Sequence, residues 1–215
     1  NLDLTIDYTL KTNANGVATI VVVANDGAVS TTNSFTVTVT AVNDVPSYTL
    51  STNLVLIAED AGAITNANFL SSISTGPANE TNQTHVFTVT SEANFAYATA
   101  PAINAAGALT FRAATHAVGT NLITVVMKDS GGTTGGGKDS VTNTFSIGVT
   151  PVNDAPTFTG AVTKTILEDS ATNTTAIVNV IDTDSASSNV TVTVSSSDTN
   201  LVTVALTATN AVSST

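Results

Sequence analysis

The sequence predicts an all-β protein built from tandem antiparallel β-sandwiches, one complete and two partial. Three observations lead to this prediction. Short runs alternate apolar and polar residues with the period of two expected of half-buried strands, and β-branched residues dominate the chain while helical periodicity is nowhere sustained. A six-residue phrase also occurs twice, as AVNDVP at 41–46 and PVNDAP at 151–156, which is typical of a repeat architecture.

The run before each phrase alternates most regularly. SFTVTVT at 34–40 places Phe35, Val37 and Val39 on one face of a strand and threonines on the other. TFSIGVT at 144–150 repeats this pattern before the second phrase. Each phrase therefore follows the last strand of a unit and acts as the linker to the next.

Two earlier runs and one later run recur in the same order. The matched pairs are LTIDYTL at 4–10 with LTFRAAT at 109–115, GVATIVVVANDG at 16–27 with GTNLITVVMKDSGG at 119–132, and LVLIAED at 54–60 with KTILEDS at 164–170. The linkers are 110 residues apart, but Asp26 and Asp129 are 103 residues apart. A seven-residue insertion explains the difference. We place it in GGTTGGGKDS at 131–140, whose glycines predict a flexible hairpin connection.

Counting these strands divides the chain into three units. Residues 1–46 hold the C-terminal half of a sandwich and a linker, residues 47–156 a complete sandwich and a linker, and residues 157–215 the N-terminal half of the next sandwich. A half-sandwich exposes apolar faces and unpaired strand edges. Two alternatives follow: the chain is a segment of a giant polypeptide, or the halves of neighbouring copies complete each other by strand exchange and form a filament.

Charge and composition limit the kinds of partner that the chain can bind. Sixteen acidic residues against five Lys and Arg give a net charge of −11, which argues against nucleic acid and favours multivalent cations such as calcium. No uninterrupted apolar run reaches the length of a membrane span and no signal peptide is recognisable, so we expect a fragment or a processed product. The absence of cysteine favours a bacterial extracellular protein over disulfide-stapled secreted modules.

These motifs resemble the cadherin-like calcium-binding repeats of very large bacterial surface and adhesin proteins, whose units end in VNDAP. The resemblance covers the whole chain. It implies calcium ions between consecutive domains, held by an early Glu, an Asn-Asp linker, a DxD pair and a late Asp. The matching positions are Glu59 and Glu168, Asn43 with Asp44, Asn153 with Asp154, Asp182 with Asp184, and Asp26 and Asp129.

The two junctions differ in this respect. At 151–156 the DxD of IDTDS lies downstream, so we expect calcium first at Asp154; the late Asp of this junction is expected beyond residue 215, or in a neighbouring copy as Asp26. The middle unit has SSISTGPANET at 71–81 instead of a DxD, where Asn79 and Glu80 are the substitutes. FRAA at 111–114 also replaces the acidic segment usual in cadherins.

Other interpretations of the same residues are possible. Asn-Asp before Ala-Pro is also ordinary turn chemistry. His85 and His116 lack a spaced partner, which argues against a metal or catalytic role for either. Paired carboxylates could serve glycoside hydrolysis, but that chemistry needs sugar-stacking aromatics, and the chain has no Trp and three Tyr. We therefore expect no enzyme.

The expected function is that of a structural repeat module in an extracellular bacterial stalk or filament, with junctions stiffened by calcium. Its expected partners are adjacent repeats or neighbouring copies of the same protein. The alternative is an adhesive module whose loops, at 130–140 or 71–84, recognise a glycan or a protein receptor.

Overall fold

The structure is a computed structural model that describes residues 4–160, 163, 165–170, 179–184 and 190–206. Within these ranges the regular structure consists of thirteen β-strands and two single turns of 3-10 helix, Ala78–Glu80 and Thr134–Gly136. The predicted all-β, antiparallel fold class is confirmed, and one strand pair departs from it by running parallel. No helix in the described part of the chain is long and apolar enough to cross a membrane.

Nine strands form the middle of the chain. They pair as a four-stranded sheet in the order β4–β11–β10–β7, a three-stranded sheet in the order β5–β9–β8, and the pair β3–β6. The strands are β3 (Ser47–Leu50), β4 (Leu54–Ala58), β5 (Ile64–Asn66), β6 (Leu70–Ser74), β7 (His85–Ser91), β8 (Tyr97–Ile103), β9 (Leu109–Ala113), β10 (Gly119–Asp129) and β11 (Ser140–Thr150).

The core lies between these sheets because alternate residues of each strand face inward. Three strands each contribute three buried apolar residues to the core. They are Leu109, Phe111 and Ala113 of β9, Ile123, Val125 and Met127 of β10, and Phe145, Ile147 and Val149 of β11. Phe69 and Phe145 bring their ring centroids to 4.5 Å. The hydroxyl of Tyr48, on β3, donates a hydrogen bond of 2.8 Å to the carbonyl oxygen of Val125 on β10, so the first strand of the unit is bound to β10 across the core.

The first 46 residues contain a hairpin of β1 (Gly16–Asn25) and β2 (Ser30–Val39). It has the register of β10–β11, because Ile20 lies opposite Phe35 as Ile123 lies opposite Phe145. These pairs are separated along the chain by 103 and 110 residues, the two offsets that the motifs predict. The seven extra residues lie in the β10–β11 loop, where the sequence places them.

The two hairpins differ in what covers them. Phe145 is 2% exposed, but Phe35 at the matching position is 41% exposed. In the middle unit β3, β6 and β9 cover the inner face of the hairpin, and residues 4–46 contain no counterpart of β3 or β6. The apolar face of β1–β2 therefore remains open in the described part of one copy.

The predicted strand at 4–10 is wrong. These residues have no regular secondary structure. Their counterpart β9 is hydrogen-bonded between β5 and β8, and residues 4–46 contain no strand equivalent to either, so the backbone of 4–10 has no ladder to join. Its side chains still alternate, and those of its apolar residues are exposed.

Backbone conformation also refines the alignment of this segment. Asn13 and Gly16 have φ angles of 55° and 130°, and His116 and Gly119, 103 residues later, have 55° and 123°. Matching LTIDYTL to LTFRAAT implies an offset of 105. The correction of two residues leaves the same side chains on the same face, because side-chain direction in an extended chain has a period of two.

Beyond the second linker, β12 (Thr157–Thr159) pairs antiparallel with β13 (Asn179–Ile181), as β3 pairs with β6. Of the four or so strands predicted in 157–215, part falls on 171–178, 185–189 and 207–215, which lie outside the described residues. The division of the chain at 46 and 156 into one whole and two half units remains a prediction.

The matched hairpins provide a test of this packing. Phe145→Ala is expected to lower the free energy of unfolding of the middle unit by about 3–5 kcal/mol, because it removes a buried ring and leaves a cavity. Phe35→Ala, at the same register position of β2, is expected to change that transition by less than about 0.5 kcal/mol. Urea denaturation of the two variants measures both values. Equal losses would contradict the burial difference.

Candidate cation sites at the two junctions

The two linkers contact opposite ends of the middle unit. The first lies against the β6–β7 and β10–β11 loops, where Glu80 and Lys138 contact it. The second lies against the end of β4 and the β9–β10 loop, where Glu59 and His116 contact it. The β10–β11 ladder runs from one end to the other and spans about 30 Å.

At the first junction Asn43 is the centre of the hydrogen-bond network. Its Nδ2 donates to Oδ1 of Asp129 at 3.1 Å and to the carbonyl oxygen of Lys138 at 2.8 Å. Its Oδ1 accepts from Nε2 of Gln83 at 2.7 Å, and its carbonyl oxygen accepts from the Lys138 N–H at 3.0 Å. One linker residue thus joins two loops of the following unit.

The glycine-rich insertion is part of this contact. A Cβ added to Gly131 would lie 1.8 Å from Oδ1 of Asn43, and one added to Gly137 would lie 3.0 Å from the Asn43 Cβ. Larger residues at these positions would displace the linker side chain. The loop predicted as a flexible connection is therefore bound to the linker through Asn43. Asn43 approaches two of its glycines so closely that a side chain at either position would collide with it.

Glu80 binds the next linker residue. The N–H of Asp44 donates to Oε1 and Oε2 of Glu80 at 3.0 and 3.3 Å, and the Glu80 side chain is 6% exposed. At the second junction the N–H of Asp154 donates to Oδ2 of Asp184 at 2.6 Å. Glu80 thus makes the linker contact that a DxD residue makes at the other junction, which is the substitution that the sequence predicts.

Two buried oxygens at the first junction have no hydrogen-bond partner among the residues that the structure describes. They are Oδ2 of Asp129 and Oε1 of Gln83, and Asp129 is 5% exposed. An ionised carboxylate without a counter-charge is costly to bury. Carboxylate and amide oxygens are the ligands that calcium takes in proteins. The two oxygens are therefore suitable ligand atoms for calcium, and the carboxylate supplies negative charge to balance the ion.

At the second junction, three side chains bring ligand atoms within 4.8 Å of one another. They are Glu59, Asp60 and His116. Glu59 is buried, and its Oε1 accepts from the N–H of Val152 in the linker at 2.6 Å. Nδ1 of His116 lies 2.9 Å from Oδ2 of Asp154 and 3.7 Å from Oδ2 of Asp60. This group joins the middle unit to the linker.

The contacts continue into the third unit. Asp184 accepts from the N–H of Asp154, and the N–H of Asp184 donates to Oδ1 of Asp182 at 3.2 Å. The N–H of Asp154 is the largest influence that holds the pKa of Asp184 below its usual range. Asp182 is buried. Three of the residues that the resemblance assigns to this junction, Asp154, Asp184 and Asp182, are thus linked by consecutive hydrogen bonds, and a fourth, Glu59, binds the same linker at Val152.

Three predicted ligands lie apart from these contacts. Asn153 is exposed, and its side-chain amide donates to the Asp154 carbonyl oxygen at 2.9 Å. Asp26 is in the β1–β2 turn, where backbone N–H groups of Val29 and Ala28 lower its pKa. Glu168 is exposed in a turn after the second linker. In the described part of the chain no site forms around these three, and their role as ligands stays a prediction.

Sequence reasoning missed Asp60 and His116. Asp60 belongs to a Glu-Asp doublet that recurs as Glu168 with Asp169, and this recurrence is a signal that the motif extends beyond the Glu. For His116 no sequence signal was available, because its contacts depend on the β9–β10 turn placing it next to Asp60 and Asp154. Its left-handed backbone, with φ of 55°, is part of that turn.

Comparison with known proteins gives little beyond this geometry. No family model and no curated protein matches the sequence. Among solved structures, the crystal structure of mouse protocadherin-24 EC1-3 matches with 13% sequence identity and a TM-score of 0.39. The match covers 81% of this chain and 58% of that one.

The two linker asparagines form a matched pair for mutation. Asn43→Ala removes hydrogen bonds to Asp129, Lys138 and Gln83 and is expected to lower the free energy of unfolding of the middle unit by about 2–3 kcal/mol. Asn153→Ala removes a local exposed bond and is expected to cost less than about 0.5 kcal/mol. Chemical denaturation of both variants provides the comparison; similar losses would show that Asn43 does not hold the first junction together.

Proposed function

We propose that this chain is a structural repeat module of an extended extracellular array, in which cations bound at the linkers fix the angle between consecutive units. Calcium is the proposed ion, and a bacterial surface stalk or filament is the proposed setting. Its role is mechanical spacing. The proposal contains no catalytic step.

The buried carboxylate of Asp129 carries this proposal. Within the described part of the chain its Oδ2 has no hydrogen-bond partner, although the side chain is 5% exposed. It borders the first linker, through Asn43, and the linker's next residue contacts the buried Glu80. A divalent cation at this point would neutralise charges that now oppose burial, and would add bonds between the linker and the unit that follows.

The ligands at the second junction support the same role. Glu59, Asp60, Asp154 and Asp184 are contributed by the middle unit, the linker and the third unit. The contacts of this group with a basic side chain in the described structure are those of His116 with Asp60 and Asp154. Repulsion among the carboxylates favours separation of the units, and a bound calcium ion would reverse that preference.

The loops suggested for receptor binding are used internally at the first junction. The 130–140 loop is bound to Asn43 through Lys138, and the 71–84 loop is bound to Asn43 and Asp44 through Gln83 and Glu80. Loops engaged with a linker are less available to grip a glycan or protein receptor. This observation favours the structural role over the adhesive alternative.

Polymerisation belongs to the same proposal. The β1–β2 hairpin has an open apolar face, and β12–β13 repeats the pairing of the strands that cover that face in the middle unit. Strand complementation between copies would cover it and extend the array into a filament.

Calorimetry with and without calcium tests the cation part. Millimolar calcium is expected to raise the melting temperature, by the equivalent of about 2.7 kcal/mol if the ion is present at a hundredfold excess over its Kd. Asp129→Asn is expected to reduce this calcium-induced difference. The difference is the useful quantity, because removing a buried charge also changes the stability of the ion-free protein.

Asp198→Asn is the matched control. Asp198 caps its own exposed turn by accepting from the N–H of Asn200 at 2.9 Å, so the substitution makes the same change of charge at a residue whose side-chain hydrogen bonds stay within that turn. Its response to calcium should equal that of the parent. A melting temperature that calcium does not change, or an undiminished response in Asp129→Asn, would refute the proposed site.

A further inference from the structure

The first junction contains an open cleft between the β1–β2 hairpin and the middle unit. Its lining comes from the segment before β1, the linker and the 3-10 turn at 78–80: Asn13, Ala14, Asn15, Thr40, Ala41, Val42, Asp44 and Asn79. In the repeat alignment, Thr40, Val42 and Asp44 correspond to Thr150, Val152 and Asp154 of the second junction. The two junctions can therefore be compared atom by atom.

At the second junction the corresponding place is filled by Glu59 and Asp60. The N–H of Glu59 donates to the Thr150 carbonyl oxygen at 2.9 Å, and Oε1 of Glu59 accepts from the N–H of Val152 at 2.6 Å. The strand leading to this turn, β4, adds parallel to the edge of β11, with Ile57 opposite Val149. The cleft at the first junction thus lacks a Glu-Asp turn and the strand before it.

The chain carries a second copy of that element. Glu168 and Asp169 follow Ile166 and Leu167 as Glu59 and Asp60 follow Ile57 and Ala58. Asp169 and Asp60 both have a φ of 58°, so the two turns share a left-handed conformation that is uncommon for residues other than glycine. Ile166 and Leu167 are exposed, although the matching Ile57 packs against the core.

We propose that the Glu168–Asp169 turn of one copy fills the cleft at the first junction of another copy. The segment before the turn adds parallel to the free edge of β2, with Ile166 opposite Val39 and the Glu168 N–H donating to the Thr40 carbonyl oxygen. This pairing would be the contact between neighbouring copies in the array proposed above, and it rests on that proposed function. We derived the paired residues by taking the register of β4 on β11 and replacing each residue with the one at the matching position of the repeat, in β2 and in the segment before Glu168.

The exposed apolar faces support the same partner. Phe158 is 61% exposed, but Tyr48 at its matching position is 8% exposed and contacts Val125. Val22 of β1 corresponds to Val125. The sandwich formed by the two half units of neighbouring copies is called the composite unit. In it Phe158 of one copy would cover Val22 of the other, so the exposed apolar surfaces of both halves would be buried together.

The partner must be another copy because of the distance between the two halves. The first linker and the second contact opposite ends of the middle unit, about 30 Å apart along the β10–β11 ladder. The contact is therefore head to tail, and repeated head-to-tail contacts between unlike surfaces build filaments or rings. The composite unit would also bring Glu168 to the first junction of its neighbour, and Asp26 to the same end of the unit as Asp182 and Asp184.

Cysteine crosslinking tests this register, because the chain has no cysteine of its own. Val39→Cys and Ile166→Cys are prepared as separate single variants of the full 215-residue chain, mixed, and oxidised. Directly paired strand residues fall within the separation that a disulfide requires. A double variant, Ile57→Cys with Val149→Cys, provides the positive control, since these residues are paired within one chain.

Val21→Cys provides the control for the opposite face of β1, where its partner is Ser34. The mixture of Val39→Cys with Ile166→Cys is expected to give at least about tenfold more covalent dimer than either variant alone or than Val21→Cys with Ile166→Cys. Combining both cysteines in one chain is expected to produce a ladder of oligomers on a non-reducing gel.

Dimer yields that do not depend on the position of the cysteine would overturn the proposal, as would a parent chain that sediments as a monomer at all concentrations. The stabilisation by calcium is measured separately at Asp129, whose contacts lie within one copy. A calcium effect without crosslinking would leave the cation role intact and reject the contact between copies. Crosslinking without a calcium effect would support the contact between copies and reject the cation role.

Discussion

The antiparallel ladder between β10 and β11 is the constraint on which the rest of the middle unit depends. Its inner face supplies the largest share of the buried core, and its two edges receive β7 and the parallel strand β4. Its length also separates the junctions, because Asp129 is at one end and Thr150 at the other. The sandwich and both candidate cation sites therefore have a common origin in one hairpin.

The same hairpin occurs twice in the chain with different surroundings. β1–β2 keeps the register of β10–β11 but has no second layer in the described part of the chain, and the alternating residues that form a core in one are half-buried or exposed in the other. Register is thus a local property of the two strands, since it is kept although the connecting loops differ by seven residues. Burial depends on strands far away in sequence or in another molecule.

The fold class, the hairpin register and the position of the insertion could be predicted from the sequence, because each depends on period-two alternation or on spacing between repeats. The substitution of Glu80 for a DxD residue could also be predicted, since the order of the repeat left few acidic residues at that place. The strand at 4–10 could not be judged in this way: its pattern was correct, but strand formation needs a neighbour to hydrogen-bond. The contacts of His116 and of Gly131 depend on tertiary approach between loops, which spacing along the chain does not encode.

The direction of β4 has a consequence for how the proposed array would carry load. β4 lies near the entry of the chain into the middle unit and β11 at its exit, and the two run parallel through five paired residues. Tension applied along the array pulls these two strands past each other, so the hydrogen bonds between them are sheared together instead of opening one at a time. A module joined in this way resists extension through the combined strength of those bonds, and the cost of rupture is concentrated in a single event.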